Sequence, residues 1–220
     1  MKSYPSINGC SKAPHSPCVA FYKYDGSNLR FEWSKQRGFH KFGTRRRLFD
    51  ESDPEYGKSI QLFQDKYADK ITAALLKDKK YGRQLDRYVA FCEYFGPSSF
   101  AGQHKFEENM DIVLFDIAIH NKGFLTPREF IDVTENIDAA QVVYDGNLNA
   151  EFIQKVKTNS LDVKLNEGVV VKGIHPRAKN PNHAIWMVKI KTKEWMDKLK
   201  DYSLHNPSLM EELVDNEREQ

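Results

Sequence analysis

No stretch of this 220-residue chain is apolar for long enough to cross a bilayer, and the N-terminus lacks the hydrophobic core of a secretion signal. Those two absences lead us to expect a cytoplasmic protein with no membrane partner. Cysteine is scarce: Cys10, Cys18 and Cys92 are too few, and odd in number, for a disulfide framework, which fits a reducing compartment. Cys10, His15 and Cys18 lie close together, but zinc needs a fourth ligand and none can be nominated. Repeats and low-complexity blocks are missing too, which argues against solenoids and disordered arrays. Net charge is small at +2, yet it hides an asymmetry. Residues 201–220 hold six acids and one base, leaving 32 bases against 25 acids over 1–200, a net of +7. A basic body suits a polyanionic ligand, although a merely solvated surface explains it nearly as well.

What is present is a mixture of two periodicities. "CVAFYKY" (18–24) and "NLRFEWS" (28–34) are rich in aromatic and β-branched residues around Asp25-Gly26, and read as a hairpin. "FHKFGTRRRLF" (39–49) reads as strand, loop and strand. Ile60, Phe63, Tyr67, Ile71, Ala74 and Leu75 then recur at helical spacing, predicting an amphipathic helix over roughly 57–77. Strands follow at 86–96 and 110–120. Thr126, Pro127 and Glu129 form a capping box that starts a helix at 127, and 150–160 reads as a second short helix. "EGVVVKG" (167–173) and "AIWMVKIKT" (184–192) return to strands, and "NPSLMEELVDNE" reads as an acidic terminal helix. Strands and helices interleave without a βαβ rhythm, so the expected class is α+β with mostly antiparallel sheets flanked by helices. No linker separates two domains. The division we expect is one domain over 1–200 and an acidic helical tail over 201–220.

Lys23 enters a turn from an apolar strand. Its bland reading is a snorkelling edge-strand lysine. The sharper one is a nucleophile: an amine reacts only when deprotonated, so burial or nearby cations must lower its pKa. The Asp25-Gly26 turn would then hold the amine rigidly, with Asp25 able to position a metal or a water.

Taken together, "KYDGSN", "GTRRR", "EYFG", "LFDIAI", "EGVVVK" and "VKIK" stand in the order seen in the covalent nucleotidyltransferase superfamily of polynucleotide ligases and capping enzymes. The chain resembles that superfamily over about residues 18–192. Lys23-x-Asp-Gly followed by Ser-Asn, and "EYFGPSSFAG", look most like its ATP-dependent RNA ligases of the phage and RNA-editing type. The resemblance implies an ATP-grasp-like nucleotidyltransferase domain and a three-step reaction. Lys23 would attack the α-phosphate of ATP, expelling pyrophosphate and forming lysyl-AMP. AMP would move to a 5′-phosphate, and a 3′-hydroxyl would displace it, sealing the strand. It also implies contacts from Lys189 and Lys191 to phosphate and from Lys172 to the nucleotide. Glu167 is implied as the carboxylate for Mg²⁺ or Mn²⁺, with Asp25 a second candidate. Glu93 is implied at the ribose or a metal-bound water, Phe115 as the ring stacking on adenine, and Arg45 at the ribose and the 5′-phosphate. Alternation would put Arg45 and Arg47 on one face, so the choice among Arg45, Arg46 and Arg47 stays open.

Bland readings stand beside these. Lys189 and Lys191 would form a solvent-facing stripe with Val188 and Ile190 in the core, Glu93 would pair with an internal arginine, and Asp116 would pair within the fold. Capping enzymes and most DNA ligases continue into an OB-fold, for which the 29 residues after Lys191 are too few. The expectation is therefore a catalytic domain without an OB-fold, acting on RNA ends and joined by an accessory protein in place of a C-terminal domain. A phage source would put it in the host cytoplasm. A minimal DNA ligase, a guanylyl-transferring relative and a non-catalytic nucleic-acid-binding module are the alternatives.

Overall fold

A computed structural model describes residues 3–175 and 179–206, residues 12 and 183 by backbone alone. In chain order the strands are β1 (Asn8–Gly9), β2 (Pro17–Lys23), β3 (Ser27–Ser34), β4 (Gly38–Gly43), β5 (Leu48–Phe49), β6 (Arg87–Phe95), β7 (Asp111–Ile119), β8 (Gly123–Phe124), β9 (Val142–Asn147), β10 (Gly168–Ile174) and β11 (Ile185–Lys191). The α-helices are α1 (Gly57–Phe63), α2 (Asp69–Lys77), α3 (Pro127–Val133), α4 (Ala150–Lys157) and α5 (Lys193–Ser203). The class is α+β with largely antiparallel sheets, as the mixed periodicities predict.

The chain forms two compact units, each made from separated segments. One contains the chain up to Pro5 and Gly26–Ala140; the other contains Ser6–Asp25 and the chain from Gln141 onward. Because each unit is assembled from distant pieces, no single linker exists for a sequence reading to find.

The unit built on 26–140 holds an antiparallel sheet ordered β5-β4-β3-β6-β7-β8. The predicted helix over 57–77 is there, but one π turn, Gln64–Ala68, joins α1 to α2. Its buried residues explain the turn. Phe63, Tyr67, Ile71 and Leu75 follow one another at intervals of four, which overshoots the 3.6-residue period at every step. A wider turn absorbs the excess and keeps the stripe on one face. Phe63 stacks on Phe31 of β3 with ring centroids 3.9 Å apart. The capping box of α3 forms as predicted, with Thr126 accepting from the Glu129 N–H and the Glu129 carboxylate accepting from the Thr126 N–H.

In the second unit the order is β1-β11-β10-β2-β9, antiparallel except for the short β1–β11 pair. Alternate residues of β2, β10 and β11 (Cys18, Ala20, Val169, Val171, Trp186, Val188, Ile190) pack against Leu148 and against Phe152 and Val156 of α4. Val188 and Ile190 thus lie in the core, as the alternation of "VKIK" requires.

The hairpin expected across Asp25-Gly26 does not form. β2 pairs with β10 and β9, whereas β3 pairs with β4 and β6. An Asp-Gly pair is a local turn signal, but a buried strand takes whichever partners complete its sheet. Glycine is needed at 26 for another reason: a Cβ there would lie 2.4 Å from the Tyr94 carbonyl oxygen. Strand β9 and helix α5 went unpredicted. The terminal helix read in "NPSLMEELVDNE" lies outside the described residues apart from Asn206, as does most of the 201–220 tail. Among the described residues no helix is long and apolar enough to cross a membrane.

Candidate functional site

In the second unit, the residues facing away from the α4 core share the opposite face of the sheet. Strand register sets them in rows. Lys23, Gly168 and Lys191 form one row, Phe21, Val170 and Lys189 the next, and Val19, Lys172 and Met187 the third. All four candidate lysines therefore stand on one face. The first row has no side chain at its centre, since a Cβ on Gly168 would meet the Ile190 carbonyl oxygen at 2.0 Å. That close approach is the use of the glycine beside Glu167.

Glu167 joins the ends of the row. Lys23 Nζ donates to its Oε2 at 2.6 Å, and Lys191 Nζ lies 3.0 Å from its Oε1. The Glu167 and Lys191 side chains are only 3% and 4% exposed, while Lys23 keeps 22%. Burial pushes the Glu167 carboxyl up, but the charges of Lys23 and Lys191 outweigh it and hold the group below the ordinary carboxylate range. Lys172 is buried, its Nζ 5.0 Å from the centre of the Phe21 ring. Lys189 is half-buried.

One residue that sequence reasoning missed completes this cluster. Trp195, buried in the first turn of α5, lays its ring 3.6 Å from Lys191 Nζ, and its indole N–H donates to Asp25 Oδ2 at 2.7 Å. Thr192 caps the helix by accepting the Trp195 N–H. The signal was legible: a threonine N-cap followed by Trp195, Met196 and Leu199 at helical spacing. As for a metal, no group of three or more His, Cys, Asp or Glu that could hold one occurs among the described residues. Glu167 and Asp25 nevertheless fit the pattern of Mg²⁺ or Mn²⁺ taking one or two carboxylates, with phosphate and water completing the shell.

The remaining candidates belong to the other unit. Phe115 sits at a β-bulge: Phe91 pairs with Asp116 and Cys92 with Leu114, so Phe115 has no residue opposite it. A bulge re-aims a side chain, and Phe115 is half-buried between the fully buried Leu114 and Asp116. Tyr4, a second residue missed from sequence, meets Phe115 edge-on at 5.0 Å and donates its hydroxyl to Asp116 Oδ2 at 2.8 Å. Asp116 thus pairs within the fold. Burial and the Asp116 charge raise the Tyr4 pKa.

Arg45, Arg46 and Arg47 do not alternate as a strand. They lie in a tight loop in which Thr44 Oγ1 accepts the N–H groups of Arg46 and Arg47. Arg47 is bound to Asp53 and Glu55 and lies over Tyr56, whereas Arg45 reaches the Pro5 carbonyl.

The family model described as RNA ligase matches residues 16–191. The chain belongs to the RNA ligase family. Several solved structures share the fold. A Naegleria gruberi RNA ligase mutant in its apo form aligns with a TM-score of 0.64 at 16% identity, covering 91% of this chain and 58% of its own. Mutants of the same enzyme with ATP and Mn, and with AMP and Mn, each align with a TM-score of 0.64 at 16% identity, covering 91% of this chain and 59% of theirs. This chain therefore spans a little under three-fifths of the length of those ligases. No curated protein matches it.

Proposed function

We propose that this chain is the adenylyltransferase part of an ATP-dependent RNA ligase of the phage and RNA-editing type, with Lys23 as the residue that carries AMP. The observation that supports this best is the Lys23–Glu167–Lys191 cluster, in which a buried carboxylate joins the two lysines at the ends of one row of the sheet. Burying charge is costly unless it is paired, and a pocket of fixed ammonium groups is what a developing phosphate charge needs.

In the first step the Lys23 amine attacks the α-phosphate. An N–P bond forms, the P–O bond to pyrophosphate breaks, and the amine loses its proton. At rest Glu167 holds Lys23 as an ammonium, which orients the nucleophile and restrains it. Glu167 would hold a divalent cation, whose positive charge beside Lys23 would favour the neutral amine. Lys191 and Lys189 neutralise phosphate oxygens, and Lys172 approaches the nucleotide from the same face. Phe115 stacks on the purine, and Glu93 and Arg45 take the ribose. Arg45 is favoured among the three arginines because Arg47 is held by two carboxylates. In the later steps the terminal 5′-phosphate of an RNA takes AMP from Lys23, and a 3′-hydroxyl then displaces AMP to form the phosphodiester.

The test is mass spectrometry of protein incubated with ATP, or with GTP, and Mg²⁺ or Mn²⁺. An AMP adduct on the peptide bearing Lys23 is expected, with none in Lys23→Ala; an unlabelled wild type, or labelling that survives the substitution, rejects the reading. Transfer from the loaded protein to matched RNA and DNA 5′-phosphate ends then identifies the polymer.

A further inference from the structure

The contacts around Lys23 close into a ring. Lys23 holds Glu167, Glu167 holds Lys191, Lys191 lies against the Trp195 ring, and Trp195 returns to Asp25, two residues beyond Lys23. Two of these links join residues 144 and 170 positions apart. Trp195 has two distinct jobs in the ring. Its π face supports an almost fully buried ammonium, where a cation–π contact is strongest because water does not compete. Its N–H holds the Asp25 carboxylate, a charge-assisted bond that anchors the far side of the turn carrying the nucleophile.

We infer that Trp195 is a positioning residue for nucleotidyl transfer, one that fixes Lys191 and the Lys23–Asp25 turn in a single arrangement through its ring face and its indole N–H. The inference rests on the proposed function and deepens it. α5 begins immediately after β11, and the Thr192 cap sets the direction of its first turn. The lysine strand and the tryptophan that organises it are therefore continuous in the chain. A misplaced nucleophile is expensive, since effective molarity is lost with small displacements. A residue touching neither the α-phosphate nor the base can thus govern the rate.

The experiment measures the rate of AMP loading at saturating ATP, the KM for ATP and the melting temperature for wild type, Trp195→Phe, Trp195→Leu, Asp25→Asn and the double variant Trp195→Phe/Asp25→Asn. Trp195→Phe keeps an aromatic ring for Lys191, loses the bond to Asp25 and leaves a small gap where the second ring was. Loading should fall roughly tenfold, as for loss of one charge-assisted hydrogen bond. Asp25→Asn takes the charge from the same bond and should also slow loading, and adding it to Trp195→Phe should cost less than it does alone, because part of both losses is one link. Trp195→Leu loses both jobs and should fall roughly a further tenfold, with phenylalanine giving the partial rescue. The losses should appear in the saturated rate rather than in KM, with Trp195→Phe still fully folded at the assay temperature. Wild-type loading by Trp195→Leu, multiplying single effects, a defect confined to KM, or a Trp195→Phe defect accounted for by the fraction unfolded at the assay temperature each overturn the inference alone. Absence of any adduct on the wild type overturns the proposed function with it.

Discussion

The two sheets of this molecule solve opposite electrostatic problems. The second unit puts four lysines on one face of its sheet, two of them buried, and holds the Glu167 carboxylate ionised between two ammonium groups. The 26–140 unit presents an aromatic ring on a bulged strand, and its buried carboxylate is met by a phenol whose pKa is raised by burial and by that carboxylate. In the proposed function the first arrangement would serve phosphate and the second the base.

The largest expected effect that sharpens this contrast is on Glu167. Glu167→Gln leaves two ammonium groups facing each other in a buried row, and removing one partner of a buried pair costs roughly 3–5 kcal/mol. We expect the lower end because Lys23 keeps 22% exposure, read out by denaturant unfolding. The sign with pH is definite. The folded pKa of Glu167 lies below its ordinary 4.5, so its contribution is fully present above that value and is lost as pH falls through the depressed one. The stability gap between wild type and Glu167→Gln should therefore close in acid; a gap unchanged down to pH 3 would mean the carboxylate is not the ionised centre of the cluster.

Phe115→Ala should weaken ATP binding by about 1–3 kcal/mol, the range for base–aromatic stacking, with the loading rate at saturating ATP largely retained. Calorimetric titration of ATP checks it. An equal loss in the saturated rate would reject the proposed stacking role of Phe115.

The arginine loop gives the smallest effect. Arg47 is committed to Asp53, whose pKa its hydrogen bond depresses to about 2. Arg47→Ala should leave AMP loading within about twofold of wild type, as surface ion pairs contribute little. Arg45→Ala should slow it more. The reverse ranking, measured in the same loading assay, would reassign the nucleotide contact.

Much of this was legible in the chain itself. The strand carrying Lys23, the alternation that sends Val188 and Ile190 inward and the lysines outward, and the Thr126 capping box all follow from short-range rules. The failures share a cause. The Asp25-Gly26 pair spoke for a hairpin because turn propensity is local, while β2 found its partners more than a hundred residues away, in β9 and β10. The strand, loop and strand of 39–49 form, but alternation does not place Arg45 and Arg47 on one face, because Thr44 closes that segment into a loop. Tyr4 was passed over since a lone tyrosine near a terminus carries no pattern, and its value lies only in what it touches.

By itself, then, the sequence determined which candidate side chains stand in which order, and most of the local periods and caps that form the elements, because these depend on residues within a turn or two. Tertiary structure alone decided that Glu167 lies between Lys23 and Lys191, that Trp195 closes on Asp25, and that a bulge turns Phe115 out of a buried strand. Register and burial are set by partners far away in the chain, and no local rule contains them.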